Sequence, residues 1–248
     1  LPVKKEDFAL IDYVSTIKET GETFDTTIEE EARKRNIFRE DRIYEPMLVV
    51  VGEGWVLKGL DDSLIDLEIG KETTIEIPPE QGFGLRDPDK ISLMPVRRLR
   101  KKNVTLHPGA QVEIDGKLAI IRSVGAGRVQ VDFNPPLAGK TLIYNLTVKS
   151  LIKSKIGKAK ALIHRRIPSV DIKKFNLRIT AKRIAVDFPE DAFYLDGIQF
   201  TKRGILSDIQ KFFPDIEKTV FTETFIREKP NQQASEQSQG RESDLKGT

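Results

Sequence analysis

Cysteine is absent from this sequence, and histidine occurs only twice, at His107 and His164. The first absence excludes disulfides, thiol nucleophiles and thiolate metal sites. The second leaves no paired histidines at ligand spacing, and neither one sits in a serine-hydrolase elbow motif, so a nucleophilic triad and a protein metal cage both lack their usual parts. Both histidines read as surface or structural residues. Long apolar runs are also missing: "MLVVVG" at 47–52 falls far short of the roughly 20 residues that span a bilayer. No charged-then-apolar leader opens the chain, and a cytoplasmic, reducing location is the expectation. "GEGWVLKG" at 52–59 has glycines but lacks the Gly-Lys-Ser/Thr ending of a P-loop and the Rossmann spacing. Neither sign of charge dominates, with 41 Lys and Arg against 38 Asp and Glu and a net charge of +3, a weak argument for nucleic acid.

What remains is a globular chain of 248 residues, 38% hydrophobic and 32% charged, long enough for one large domain or two to three small ones. "FALIDYVSTIKETGETFDTT" at 8–27 predicts a hairpin, because β-branched and aromatic residues flank a turn at Thr20-Gly21. "MLVVV" reads as a buried strand, "GWVLKGLDDSLIDL" at 54–67 as a short amphipathic helix that Gly70 can end, and "KETTIEI" as a further strand. From Leu85 to Asn134 the character changes. Asp115-Gly116 is the strongest two-residue hairpin signal, and Gly125-Ala126-Gly127 supplies a second turn, so this stretch forms a small antiparallel unit of its own. "LAGKTLIYNLTVKSLI" at 137–152 alternates as a strand returning to the first sheet.

A Lys-rich junction, "KSKIGKAK", opens a third region. There "ALIHRRI" at 161–167, "LRITAKRIAVDF" at 177–188 and "EKTVFTETFI" at 217–226 are expected as strands, and "TKRGILSDIQKFF" at 201–213 as a helix, giving a compact α+β domain. The Gln-, Ser- and Glu-rich end from residue 229 to 248 has almost nothing to bury and is expected to be disordered.

Four ordered stretches, "DYVSTIKETGETFDTT", "VGEGWVLKGLDDSL", "IEIPPEQGFG" and "PPLAGKTLIYNLTV", together resemble an FKBP-type peptidyl-prolyl cis-trans isomerase. The β unit interrupting the chain after "GFG" resembles the insert-in-flap domain of the SlyD-like branch, and the long third region resembles that branch's long archaeal members. The resemblance implies an α+β fold in which a half-open antiparallel sheet wraps a short helix. The expected organisation is residues 1–84 and 135–153 as the isomerase domain, 85–134 as the insert, 154–228 as a separate C-terminal α+β domain, and 229–248 as a tail.

Carried over position by position, the resemblance matches Tyr13 and Asp25 to the family's hydrogen-bonded pair, Phe24 to the aromatic beside the acid, and Tyr144 to an aromatic on the last strand. Val56 and Leu57 match the cleft floor. Met47 and Leu60 stand where an aromatic and a Trp are frequent, and Leu137 near a flap aliphatic. Phe83 replaces the flap Tyr, so a hydroxyl able to bond a substrate carbonyl is missing. Taken singly, each side chain is an ordinary core residue, and Asp25 an ordinary cap for a helix at "TTIEEEARKR". The family activity needs no cofactor, and the His-rich, nickel-binding tail of some SlyD-like proteins has no counterpart here.

The resemblance gives the insert the task of capturing unfolded polypeptide, with Ile91, Leu93, Met94, Val96 and Leu99 as the expected apolar surface. The alternative is that these form the insert's own core. Proline-containing unfolded or nascent polypeptides are the expected partners, and a homodimer through the C-terminal domain the expected use of that domain. Two other functions stay open: a polypeptide-holding chaperone without turnover, suggested by Phe83, and an RNA- or ribosome-associated protein. The second rests on "RRLRKK" at 97–102 and on 15 basic against 10 acidic residues from 155 to 228. No aromatic RNA platform accompanies that charge, which argues against nucleic acid and for a solvated face.

Overall fold

The computed structural model describes residues 2–100 and 106–226 and divides the chain into two compact units, residues 1–158 and 159–248. The expected tail therefore lies outside the described residues, as does most of the "RRLRKK" run's basic end.

Unit 1 is organised by β1 (Phe8–Ile17), whose apolar and β-branched residues place it at the centre of a five-stranded antiparallel sheet. β1 pairs with β2 (Thr23–Thr26), β3 (Met47–Val50) and the long β9 (Leu142–Ile152), and β4 (Glu72–Ile77) adds to β9. Between β2 and β3 lies α1 (Glu29–Lys34), with three acids in its first turn and Arg33 and Lys34 in its last, the polarity its dipole favours. The α1 cap is not Asp25. The Ile28 amide donates to the Thr26 hydroxyl at 3.1 Å, which leaves the Asp25 carboxylate free for other partners.

α2 (Lys58–Ser63) lies against this sheet, with Leu60 and the following Leu64 in the core. It is much shorter than the 54–67 span expected. Within it, the buried Asp61 carboxylate accepts from the amides of Gly52 and Gly54 at 2.9 and 2.8 Å, which holds the residues ahead of the helix in a loop. After it, Asp66 takes a left-handed conformation (φ 65°) that no helix tolerates. Gly70, expected as the helix cap, instead shapes the turn into β4 and donates its N–H to Val148 at 2.8 Å. Gly59 allows α2 its close approach: a Cβ there would stand 2.8 Å from the Ile77 Cγ2.

Within unit 1 the insert is a four-stranded antiparallel sheet in the order β5 (Ile91–Pro95), β8 (Arg128–Asp132), β7 (Lys117–Gly125), β6 (Gln111–Ile114), with α3 (Val96–Arg100) following β5. Its two hairpins turn at Asp115-Gly116 and Ala126-Gly127. All four residues have positive φ (51°, 76°, 48° and 73°), the geometry that matches the twist of the strands they join. A separate core of Leu99, Val112, Ile114, Ala119, Ile121, Val129 and Val131 fills it.

Unit 2 begins within α4 (Lys155–Arg166), where a strand at 161–167 was expected. Ala159, Leu162, Ile163 and Ile167 are the buried positions, a spacing of three and four that belongs to a helix face. A three-stranded sheet follows: β10 (Asn176–Ile179) antiparallel to β11 (Arg183–Phe188), and β11 parallel to β12 (Lys218–Glu223), the crossover being α5 (Ile198–Phe212). Arg166 holds Asp208 of α5 through two hydrogen bonds of 2.8 and 3.0 Å.

Candidate active site

Alternation along β1 sends Ile11, Tyr13 and Ser15 to successive positions of the sheet, and the register sets their neighbours. Tyr13 faces Leu146 and Ser15 faces Tyr144, so Tyr13 and Tyr144 are diagonal neighbours across two strands, with ring centroids 5.3 Å apart. Ser15 also faces Asp25 on β2, and its hydroxyl donates to the Asp25 carbonyl at 2.8 Å. β2 is thereby fixed so that Asp25 turns toward Tyr13, whose hydroxyl donates to Asp25 Oδ2 at 2.6 Å. The Phe24 ring meets Tyr144 edge-on, with centroids at 6.1 Å and planes at 82°.

The cluster beneath is apolar. Tyr13 and Tyr144, each 6% exposed, share it with Ile75, Ile77, Leu60 and Leu64, and Phe24, Met47, Val56 and Leu57 pack on it while remaining half-buried. The structure thus brings together eight of the expected positions: Tyr13, Phe24, Asp25, Met47, Val56, Leu57, Leu60 and Tyr144. Two stand apart. Phe83, 39% exposed, and the half-buried Leu137 are not part of this packing.

Burial, and then the hydrogen bond and charge of Asp25, push the Tyr13 phenol far above its ordinary range. Burial and the same charge do so for Tyr144. Both phenols therefore stay protonated, one as a donor already committed to Asp25. A residue not expected from sequence completes the group: Arg42 pairs with Asp25 Oδ1, and although burial opposes its charge, the carboxylate holds the guanidinium above its ordinary value. Nothing in "FREDRIYEP" separated Arg42 from Arg39, because only the folded loop brings one of them to Asp25.

The insert's surface differs from expectation. Leu99, 2% exposed, is core, because α3 turns Val96 and Leu99 to one side, and Met94 and Val96 pack on the same core. Ile91 is half-buried, and Leu93, 59% exposed, alone of the five is open to solvent. An open groove of about 820 Å³ lies at the tip of the insert, lined by Pro95, Val96, Leu106, Val124 and the 125–127 turn beside Arg97. Among the described residues no group of acids and histidines could hold a metal ion, and no helix is long and apolar enough to cross a membrane.

Comparison with known proteins accords with this geometry. Residues 2–107 match the model of the FKBP-type peptidyl-prolyl cis-trans isomerases. The chain is 35% identical over 149 residues to the short-type peptidyl-prolyl cis-trans isomerase of Methanocaldococcus jannaschii, covering 94% of that protein and 60% of this one. The chain belongs to the FKBP-type peptidyl-prolyl cis-trans isomerases. Similarity extends to the SlyD isomerase of Treponema pallidum, 30% identical over 124 residues, which cover 48% of this chain and 70% of that protein. A probable FKBP-type isomerase of Pseudomonas fluorescens is 28% identical over 149 residues, 56% of this chain and 96% of that one. Residues 92–137 match the FKBP26 IF domain and 155–226 the FKBP26 C-terminal domain, so this FKBP-type isomerase carries both an insert in the flap and a C-terminal extension.

Proposed function

We propose that this isomerase turns X-Pro bonds in the cleft walled by Tyr13, Phe24, Asp25 and Tyr144 and floored by Val56, Leu57, Leu60 and Met47. The supporting observation is that these side chains converge from β1, β2, β3, the loop before α2, α2 and β9 onto one apolar cluster, with the Asp25–Arg42 ion pair beside Tyr13. Rotation about a peptide bond faces a barrier of about 18–20 kcal/mol because C–N resonance must be lost. Water favours the charge-separated planar form through hydrogen bonds to the carbonyl. A cleft of rings and aliphatic chains withholds those bonds while it grips the proline ring, so the planar ground state loses more than the twisted transition state. No nucleophile or proton shuttle takes part, which suits a chain without cysteine. Each 1.36 kcal/mol of preferential transition-state binding gives tenfold in rate, so modest contacts suffice.

The insert serves as the capture site for unfolded chains. Its support is the open groove at the tip, where Pro95 and Val124 are exposed beside Val96 and Leu106, which also pack on the insert's core, together with the exposed Leu93. This surface replaces the one expected from sequence, in which Leu99 took part. In unit 2 the exposed Tyr194, Phe200, Phe225 and Ile226 support a protein contact there, with a second copy as the occupant expected from sequence. Sedimentation of a chain ending at residue 153 tests that contact.

A protease-coupled assay of a proline tetrapeptide, run on the wild type and on Asp25→Ala, tests the cleft. Clear acceleration by the wild type with a marked loss in the variant supports it. Undiminished turnover by Asp25→Ala removes Asp25 from the site.

A further inference from the structure

Between α1 and β3 the chain runs through residues 35–46 without helix or strand, and Arg42 sits in this stretch. Its side chain is about a third exposed. An ion pair so open to water holds a long, rotamer-rich side chain weakly. Something else must keep the guanidinium on Asp25.

The loop supplies it. α1 closes with the Ile37 amide on the Ala32 carbonyl at 2.9 Å, and Asn36 takes the left-handed conformation (φ 57°) that reverses the chain. The reversal brings Phe38 back under the helix, with the Arg33 guanidinium 3.6 Å from its ring centroid. Phe38 in turn stacks on Tyr44, centroids 5.5 Å apart and planes within 17°. The Tyr44 hydroxyl accepts the Arg39 backbone N–H at 3.0 Å, which fixes the ring. Against this fixed ring lies Arg42, its guanidinium carbon 5.3 Å from the centroid. The contacts therefore run unbroken from Arg33 through Phe38, Tyr44 and Arg42 to Asp25 and Tyr13.

A planar guanidinium beside an aromatic ring loses freedom mainly in directions that leave the ring, and a ring already stacked and hydrogen-bonded transmits that restraint. We infer that Tyr44, backed by Phe38, is a positioning residue of the cleft that holds Arg42 on Asp25 and so fixes the Tyr13–Asp25 pair. Tyr44 touches no substrate; it acts through Arg42. The inference rests on the cleft reading given above.

The test is a double-mutant cycle on kcat and KM for a proline tetrapeptide, with Arg42→Ala, Tyr44→Leu, Tyr44→Phe and the double variant Arg42→Ala/Tyr44→Leu, each checked by thermal melting. Arg42→Ala is expected to lower kcat roughly fivefold to tenfold, and Tyr44→Leu about threefold, with KM nearly constant. Tyr44→Phe, which keeps the ring, should restore most of the loss. The decisive reading is non-additivity: Tyr44→Leu should cost less than about 1.5-fold once Arg42 is gone. A full threefold loss on the Arg42→Ala background, or a loss in Tyr44→Phe as large as in Tyr44→Leu, overturns the inference. Phe38→Leu, run through the same cycle, gives the same reading should Tyr44→Leu fail to fold. Unchanged turnover in Arg42→Ala would overturn this inference alone, while the cleft reading stands or falls with Asp25→Ala.

Discussion

Tyr13 and Asp25 sit 12 residues apart on adjacent antiparallel strands, and the phenol of the first donates to the carboxylate of the second at 2.6 Å. Asp25 also receives Arg42 and the Thr26 amide, so its two oxygens are engaged by three donors. Removing the two partners should therefore have unequal effects. Tyr13→Phe loses one hydrogen bond, worth about 1 kcal/mol. Asp25→Ala leaves a buried phenol and a partly buried guanidinium without their acceptor and should cost about 2–3 kcal/mol. Urea denaturation of the two variants checks the order, and equal losses would contradict it.

Acid should loosen the insert through Asp132. This carboxylate, 1% exposed, is met by Arg86, by Arg122 at 2.9 Å and by the Asn134 backbone and side-chain N–H groups at 2.9 and 2.8 Å. Burial works against its charge, but these donors prevail and hold its pKa below the ordinary carboxylate value. A carboxylate depressed in the folded state contributes stability above its unfolded pKa of about 3.9 and loses it as pH falls through the folded value. The stability difference between wild type and Asp132→Asn should thus be constant above about pH 5 and shrink below about pH 4. Melting curves across that range measure it.

Gly59 sets the distance between α2 and β4. In Gly59→Ala the new methyl would stand 2.8 Å from Ile77 Cγ2 and 3.0 Å from Gln81 Cβ. Ile77 is fully buried, so any shift there must displace other core side chains. The variant should lose about 1–3 kcal/mol by overpacking. It should also lose isomerase activity, since α2 carries Leu60 and follows directly on Leu57. A stability unchanged in thermal melting would show that the helix can shift at no cost.

Much of this architecture was legible in the sequence, for reasons that differ from residue to residue. Tyr13, Phe24, Asp25 and Tyr144 could be assembled because four stretches occur in a fixed order, and order carries information that no single aromatic on a strand has. The hairpin at Asp115-Gly116 was legible because the turn chemistry is local. Helix α4 was not, since "ALIHRRI" is too short to separate a period of two from one of 3.6, and only Ala159, Leu162, Ile163 and Ile167 together reveal the buried face. Leu99 was misplaced on the surface because the fold-back of α3 depends on the sheet it covers. Arg42 was missed for a similar reason: its meaning lies in a loop with no periodicity.

Deleting residues 86–134 should separate capture from turnover. With the groove at the insert tip gone, catalysis of proline-limited refolding of a protein should fall by at least tenfold, while isomerisation of a tetrapeptide, too short to need capture, falls no more than about threefold. Parallel refolding and peptide assays at matched enzyme concentration give the comparison. Equal losses would remove the insert from substrate capture.

The central claim is that X-Pro rotation occurs in the cleft around Tyr13 and Tyr144, and NMR shift mapping with a proline tetrapeptide tests it most directly. Exchange cross-peaks between the cis and trans forms of the bound peptide should appear, with the largest protein shift changes at Phe24, Asp25, Val56, Leu57 and Tyr144. Shift changes confined to the insert or to unit 2, with these five residues unmoved, would contradict the account.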